Sequence, residues 1–106
     1  MEIRAIVINA KDNVATVVED TSAGAQIYYS IGDEKYALQV KEPIPLGHKV
    51  AIADIKAMSH VIKYGESIGR ATRDIQAGQH VHVHNMESLR GRGDWAEDKG
   101  GRQDVN

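Results

Sequence analysis

Residues 74–85 read Asp-Ile-Gln-Ala-Gly-Gln-His-Val-His-Val-His-Asn, and the stretch carries two patterns that bear on the fold. In a β-strand successive side chains point to opposite faces, so His80, His82 and His84 would share one face and Val81 and Val83 the other. This predicts a strand over HVHVH with its valines in a core. The first half supplies Asp74, Ala77 and Gly78 ahead of Val81, and the same offsets recur at Asp20, Ala23, Gly24 and Ile27. A third copy, Asp54, Ala57, Met58 and Val61, departs at the glycine. The repeat predicts a turn opened by Asp, ended by Gly at positive φ and leading straight into a strand. At Met58 the turn must carry strain or take another geometry.

Outward from this stretch, short runs rich in Val, Ile and Tyr recur at IRAIVI, NVATVV, QIYYSI, KYALQV, KVAIA and HVIKY, separated by Gly, Pro, Asp and Asn. No window sustains a helical period. The expectation is an all-β domain with one or two short helical turns, closed as a small barrel or clip. With 106 residues and 42% apolar content, the chain suffices for one modest core. That domain is placed at residues 1–88. Residues 89–106 form a polar tail in which Arg90, Arg92, Lys99 and Arg102 balance Asp94, Glu97, Asp98 and Asp104. Such a segment is expected to be flexible alone or to order on a partner, with Trp95 as its anchor.

A formal charge of −2, with one Trp, four Tyr and no Phe, offers neither a positive field nor a stacking platform, so nucleic acid is not an expected partner. The absence of cysteine removes disulfides, thiolate metal sites and thiol nucleophiles. The apolar run Ala5–Ile8 is too short for a signal core or a membrane span, which points to a cytoplasmic protein with no membrane partner.

Three clusters could carry chemistry. Same-face neighbours on a strand lie about 6.6–6.8 Å apart at Cα, close enough for His-x-His to place two imidazoles on one metal ion. His80 and His84, at twice that spacing, could not share an ion on a flat strand, so a further ligand must come from another element or chain. Spacing alone leaves metal, substrate and solvent open. In EPIPLGHKVA, Gly47 allows a turn that presents His48 and Lys49, a pair suited to a carboxylate or equally to water. In VIKYGESIGRA, Val61, Ile62 and Tyr64 look strand-like, Lys63 could meet an anion, and Gly69 marks a second turn. The glycines fit neither a dinucleotide fingerprint nor a phosphate loop.

Taken in order, DNVA at 12–15, PLGHKVA at 45–51, ADI at 53–55, VIKYG at 61–65, IGRAT at 68–72 and DIQAGQHVHVHN at 74–85 resemble the N-terminal SAF-type domain of the altronate and galactarate dehydratase family. The resemblance implies a β-clip fold and metal-dependent removal of water from sugar acids, with a sister branch that eliminates sulfite from sulfolactate. In this family the domain is either fused to a much larger catalytic part or separate from it. The tail NMESLRGRGDW resembles that of stand-alone small subunits.

It further implies His48, His82 and His84 as catalytic residues, Lys49, Lys63, Tyr64 and Asn85 as substrate contacts, and His82 and His84 as ligands of a divalent ion, iron or manganese, shared with a large subunit. Elimination needs a base at the carbon α to a carboxylate, a Lewis acid and an acid for the leaving group. The base is expected in the large subunit, since this chain lacks the bulk to enclose a sugar acid. A homo-oligomer stays open. The competing reading is a non-catalytic SAF-type module for ligand binding or assembly, favoured if no large dehydratase gene neighbours this one.

Overall fold

Gly24, Gly47, Met58 and Gly78 all adopt left-handed backbone, with φ of 89°, 83°, 74° and 95°. In each case that residue's amide donates to a carbonyl across the fold, on Val40, Val17, Ala71 and Ala51 respectively. The computed structural model, which describes residues 3–88, thus holds four copies of the turn where the sequence suggests three. The fourth, at residues 43–50, is masked because Pro43 and Leu46 stand where the others have Asp and Ala.

The aspartates also act differently from expectation. The turns associate in pairs through the bridges Thr21–Ile44 and Ile55–Ile75. Each carboxylate braces the opposing turn rather than opening its own: the Leu46 amide donates to Asp20 at 2.8 Å, Ala57 to Asp74 at 2.8 Å and Ala77 to Asp54 at 2.9 Å. Met58 keeps the shared geometry, and a side chain there works against the left-handed backbone by about 1–2 kcal/mol. Met58→Gly should therefore raise the urea midpoint at unchanged m, a gain of about 0.5–1 kcal/mol in unfolding free energy once glycine's greater unfolded entropy is counted.

The described residues form nine strands: β1 (Ile3–Ile6), β2 (Val14–Val17), β3 (Gln26–Ile31), β4 (Glu34–Gln39), β5 (Lys49–Ala51), β6 (His60–Lys63), β7 (Glu66–Ala71), β8 (His80–Val81) and β9 (Met86–Ser88). Six form one sheet in the order β4-β3-β1-β2-β5-β8, and β6-β7-β9 form a second. Among the described residues only the β1–β3 pairing is parallel. The structure is all-β, and the expected short helical turns are not found among the described residues. None of these residues forms a helix long and apolar enough to cross a membrane.

The sheet containing β2, β5 and β8 separates two cores. Ala15, Val17 and Val50 pack with Ile27, Val40 and Ile44 on one side, while Val14, Ala51 and Val81 pack with Val61, Ala71 and Ile75 on the other. A strand buried on both faces needs apolar residues at consecutive positions, which is why NVATVV shows no clean alternation.

Three local readings change. The HVHVH strand stops at Val81, and Val83 is 78% exposed rather than in the core. The cause is Asn85: its side-chain oxygen accepts the His82 amide at 3.0 Å, its NH₂ donates to the His80 carbonyl at 2.8 Å, and its own amide closes on the His82 carbonyl at 3.1 Å. This side chain takes backbone groups that a longer strand would have placed in a ladder. Tyr64 is not in a strand either: Tyr64 and Gly65, at φ 58° and 76°, form the two-residue turn joining β6 to β7. Gly69 lies inside β7, where a Cβ would meet the Glu87 carbonyl oxygen at 2.4 Å, so it permits the close approach of β9 instead of making a turn. The polar tail and Trp95 lie outside the described residues.

Candidate active site

β5 and β8 pair antiparallel with Lys49 opposite Val81 and Val50 opposite His80. Carried one step further, this register sets His48, at the exit of the Gly47 turn, against His82. The His48 and His82 rings stack with centroids 4.3 Å apart. The His48 Nδ1 and His80 Nε2 atoms are 2.9 Å apart, a hydrogen bond between imidazoles. The His80 amide is held by the Glu42 carboxylate at 2.8 Å. His48, His80 and His82, all half-buried, offer three ring nitrogens within 4.8 Å of one another.

Burial, then the His48, His84 and His82 imidazoles, hold His80 below the ordinary histidine value, with Glu42 acting in the opposite sense. Burial, then His48, Lys49 and His84, lower His82 likewise. At neutral pH both rings are uncharged, so their nitrogens have lone pairs to give. Bonds of about 2.0–2.1 Å to one first-row ion put cis or tetrahedral ligand nitrogens about 2.8–3.4 Å apart. The His48 and His80 nitrogens already stand at 2.9 Å, and the trio as a whole, within 4.8 Å, would draw in slightly around an ion. Imidazole donors suit zinc, iron, copper or nickel better than calcium or magnesium. The donor set therefore fits a divalent transition metal.

The other residues singled out in the sequence lie around this trio. His84 sits exposed in the turn after His82, its ring tilted against His80 at 5.3 Å and outside the group of three. Lys49 lies on the opposite face of β5 from Val50, half-buried, its ammonium lowered by burial and then by Lys63. Lys63 rests over the exposed Tyr64 ring at 4.9 Å. Asn85 is buried, with both ends of its amide engaged in the turn that carries His82 and His84. His80, which the sequence reading set aside in favour of His84, is the third member of the cluster. What separates the two is the end of β8: His80 pairs with Val50 in the ladder, while the Asn85 turn takes His84 out of it.

The hairpin carrying Lys63 and Tyr64 is fixed from below by the buried Asp12, whose carboxylate accepts the Gly65 amide at 2.8 Å and the Asn9 amide at 3.1 Å. Burial pushes the Asp12 carboxyl up, but the amides of Gly65, Asn9, Tyr64 and Ile8 together hold it below its ordinary value. A lowered carboxyl stabilises the fold above the unfolded pKa of about 3.9, and this contribution is lost as pH falls through the lower folded value. Asp12→Asn should cost about 1.5–3 kcal/mol in urea unfolding at pH 7. The gap to the wild type should narrow in acid, and a gap independent of pH would contradict this role.

Residues 3–89 match the family of the altronate/galactarate dehydratase SAF domain. The chain is 43% identical over 93 residues to the (2R)-sulfolactate sulfo-lyase subunit alpha of Chromohalobacter salexigens, covering 85% of this chain and 99% of that one. It is 37% identical to the altronate dehydratase of Bacillus subtilis over 78% of its own length but only 16% of the enzyme's. For the galactarate dehydratase (L-threo-forming) of Escherichia coli the figures are 41%, 72% and 14%. The nine-stranded fold, the GHK and HVHVHN elements that build its imidazole cluster, and a match across most of its length place this chain in the altronate/galactarate dehydratase SAF-domain family.

Proposed function

We propose that this chain is the small subunit of a two-component lyase acting on a hydroxy acid, and that it supplies one wall of an active site completed by a large subunit. The observation that carries this reading is the trio His48, His80 and His82, half-buried yet open to the surface, on a chain that matches 99% of a sulfo-lyase alpha subunit. A divalent ion held by these residues, iron being the one of the two expected metals that imidazoles suit, would supply Lewis acidity toward the substrate's carboxylate and neighbouring oxygen.

The remaining tasks fall to side chains. The Lys49 and Lys63 ammonium groups bind the carboxylate. His84, outside the trio, holds a proton for the departing group. The large subunit's base removes the proton at C2, that electron pair forms the new carbon–carbon double bond, and the substituent on C3 leaves with its bonding pair. In a sugar acid that substituent is hydroxyl, which leaves as water after taking up a proton. Sulfolactate would release sulfite by the same step, and the near-complete overlap with a sulfo-lyase alpha subunit favours this second reading.

The test is reconstitution with the large subunit from the same genome, assaying 2-keto acid from altronate or galactarate and sulfite from sulfolactate. The isolated chain should be inactive because half a site gives neither proximity nor a dry cavity. Turnover by this chain alone would overturn the two-component reading, and none by the complex with any of the three substrates would overturn the proposal in favour of a non-catalytic module.

A further inference from the structure

Cross-strand partners in a ladder share a face, and the register of the six-stranded sheet can be followed across it: Arg4 pairs with Tyr28, Ile6 with Thr16, and Thr16 with Lys49. Val18 joins the same face, its amide donating to the Arg4 carbonyl at 3.3 Å. At one end this face continues through Val14, Ala51 and Val81, which the second sheet covers. Beyond Lys49 it lies open: Ile6 is 50% exposed, Val18 42% and Tyr28 37%. A solvated sheet face ordinarily carries polar residues at such positions, and branched apolar side chains left there in a group mark a surface that is covered in use.

The charge is equally one-sided. Arg4, Lys49 and, on β4, Lys35 lie on this face, and among the described residues no paired strand position on it carries a carboxylate, although the whole chain has a net charge of −2. A cleft of about 470 Å³ opens beside it where β1 parts from β3, lined in part by Arg4, Ile6, Tyr28 and Lys35. Lys49 links the face to the imidazoles, since it follows His48 directly and its charge acts on His82.

Resting on the two-component reading, we propose that this open face is the docking surface for the large subunit, which meets it with an apolar centre and a rim of carboxylates. A second copy of this chain would set cations against cations. A partner seated on this face reaches the Lys49 edge of the imidazole cluster, which is where the missing wall of the site is needed.

The experiment is calorimetric titration of the purified large subunit into this chain and its Ile6→Glu, Val18→Glu and Arg4→Glu variants, each first shown to keep the wild-type urea midpoint. Ile6→Glu and Val18→Glu should weaken binding by at least about 30-fold, the scale of a hot-spot residue. Arg4→Glu should weaken it and flatten its salt dependence, and Lys56→Glu, on an exposed turn elsewhere, should leave it unchanged. A wild-type chain that forms no complex would overturn the two-component reading and this surface with it. A complex indifferent to Ile6→Glu and Val18→Glu would overturn the surface alone. Two further results would also overturn it by naming another occupant. A wild-type dimer split by Ile6→Glu would assign the face to a second copy, and a red shift of Trp95 emission in isolated Ile6→Glu would assign it to the chain's own C-terminal segment.

Discussion

Replacing His48, His80 or His82 by alanine is expected to lower the activity of the reconstituted complex by about two orders of magnitude or more, the scale for losing one acid–base or electrophilic group. Stability should change little by comparison. The three rings are only half-buried, and the hydrogen bond shared by His48 and His80 is worth about 1 kcal/mol net. Metal content separates the roles. The complex should lose its ion with any one of the three, whereas His84→Ala should keep the ion and impair turnover alone. Full activity in a variant lacking both His48 and His82 would remove the cluster from the mechanism.

The largest effect on folding is expected at Gly78. All four turns need left-handed backbone, so an added side chain costs about 1–2 kcal/mol at any of them. At Gly24 and Gly47 a Cβ would meet nothing within 4 Å, and Gly47→Ala should show that strain alone. At Gly78 the Cβ would stand 2.6 Å from the Gln39 carbonyl oxygen and 3.1 Å from the Lys41 Cγ. Backbone must then move, adding about 1–3 kcal/mol of overpacking. Gly78→Ala should therefore lose about 3 kcal/mol or more, a large part of the roughly 5–15 kcal/mol available to a domain. Urea unfolding of the two variants side by side is the check. Equal losses at Gly47 and Gly78 would refute the steric part of the argument.

Much of this fold was legible from period-two runs and glycine punctuation, because those signals are local. β7 was not, since Glu66–Ala71 mixes a charge at each end of its run with Gly69 and gains its place only by lying between β6 and β9. β9, Met86–Ser88, is too short to show a period. The strand over HVHVH was over-read because alternation reports which way side chains would point in a strand, and not that Asn85 competes for the same backbone groups. The candidate site was half legible. The sequence draws attention to His48, Lys49 and the histidine run, but the choice of His80 over His84 for the trio depends on where β8 ends: His80 lies in the ladder with β5, whereas the Asn85 turn carries the chain out of it before His84.

The contact between His48 and His80 joins positions 32 residues apart, with all of β6 and β7 between them. No unfolded chain presents these nitrogens together, so whatever binds across them selects the closed clip over the open chain. By mass action, a ligand at a hundred times its Kd that ignores the unfolded state adds about 2.7 kcal/mol to the folding equilibrium. Occupancy of the cluster and integrity of the domain are thus one equilibrium, and a thermal melt becomes a gauge of how full the site is.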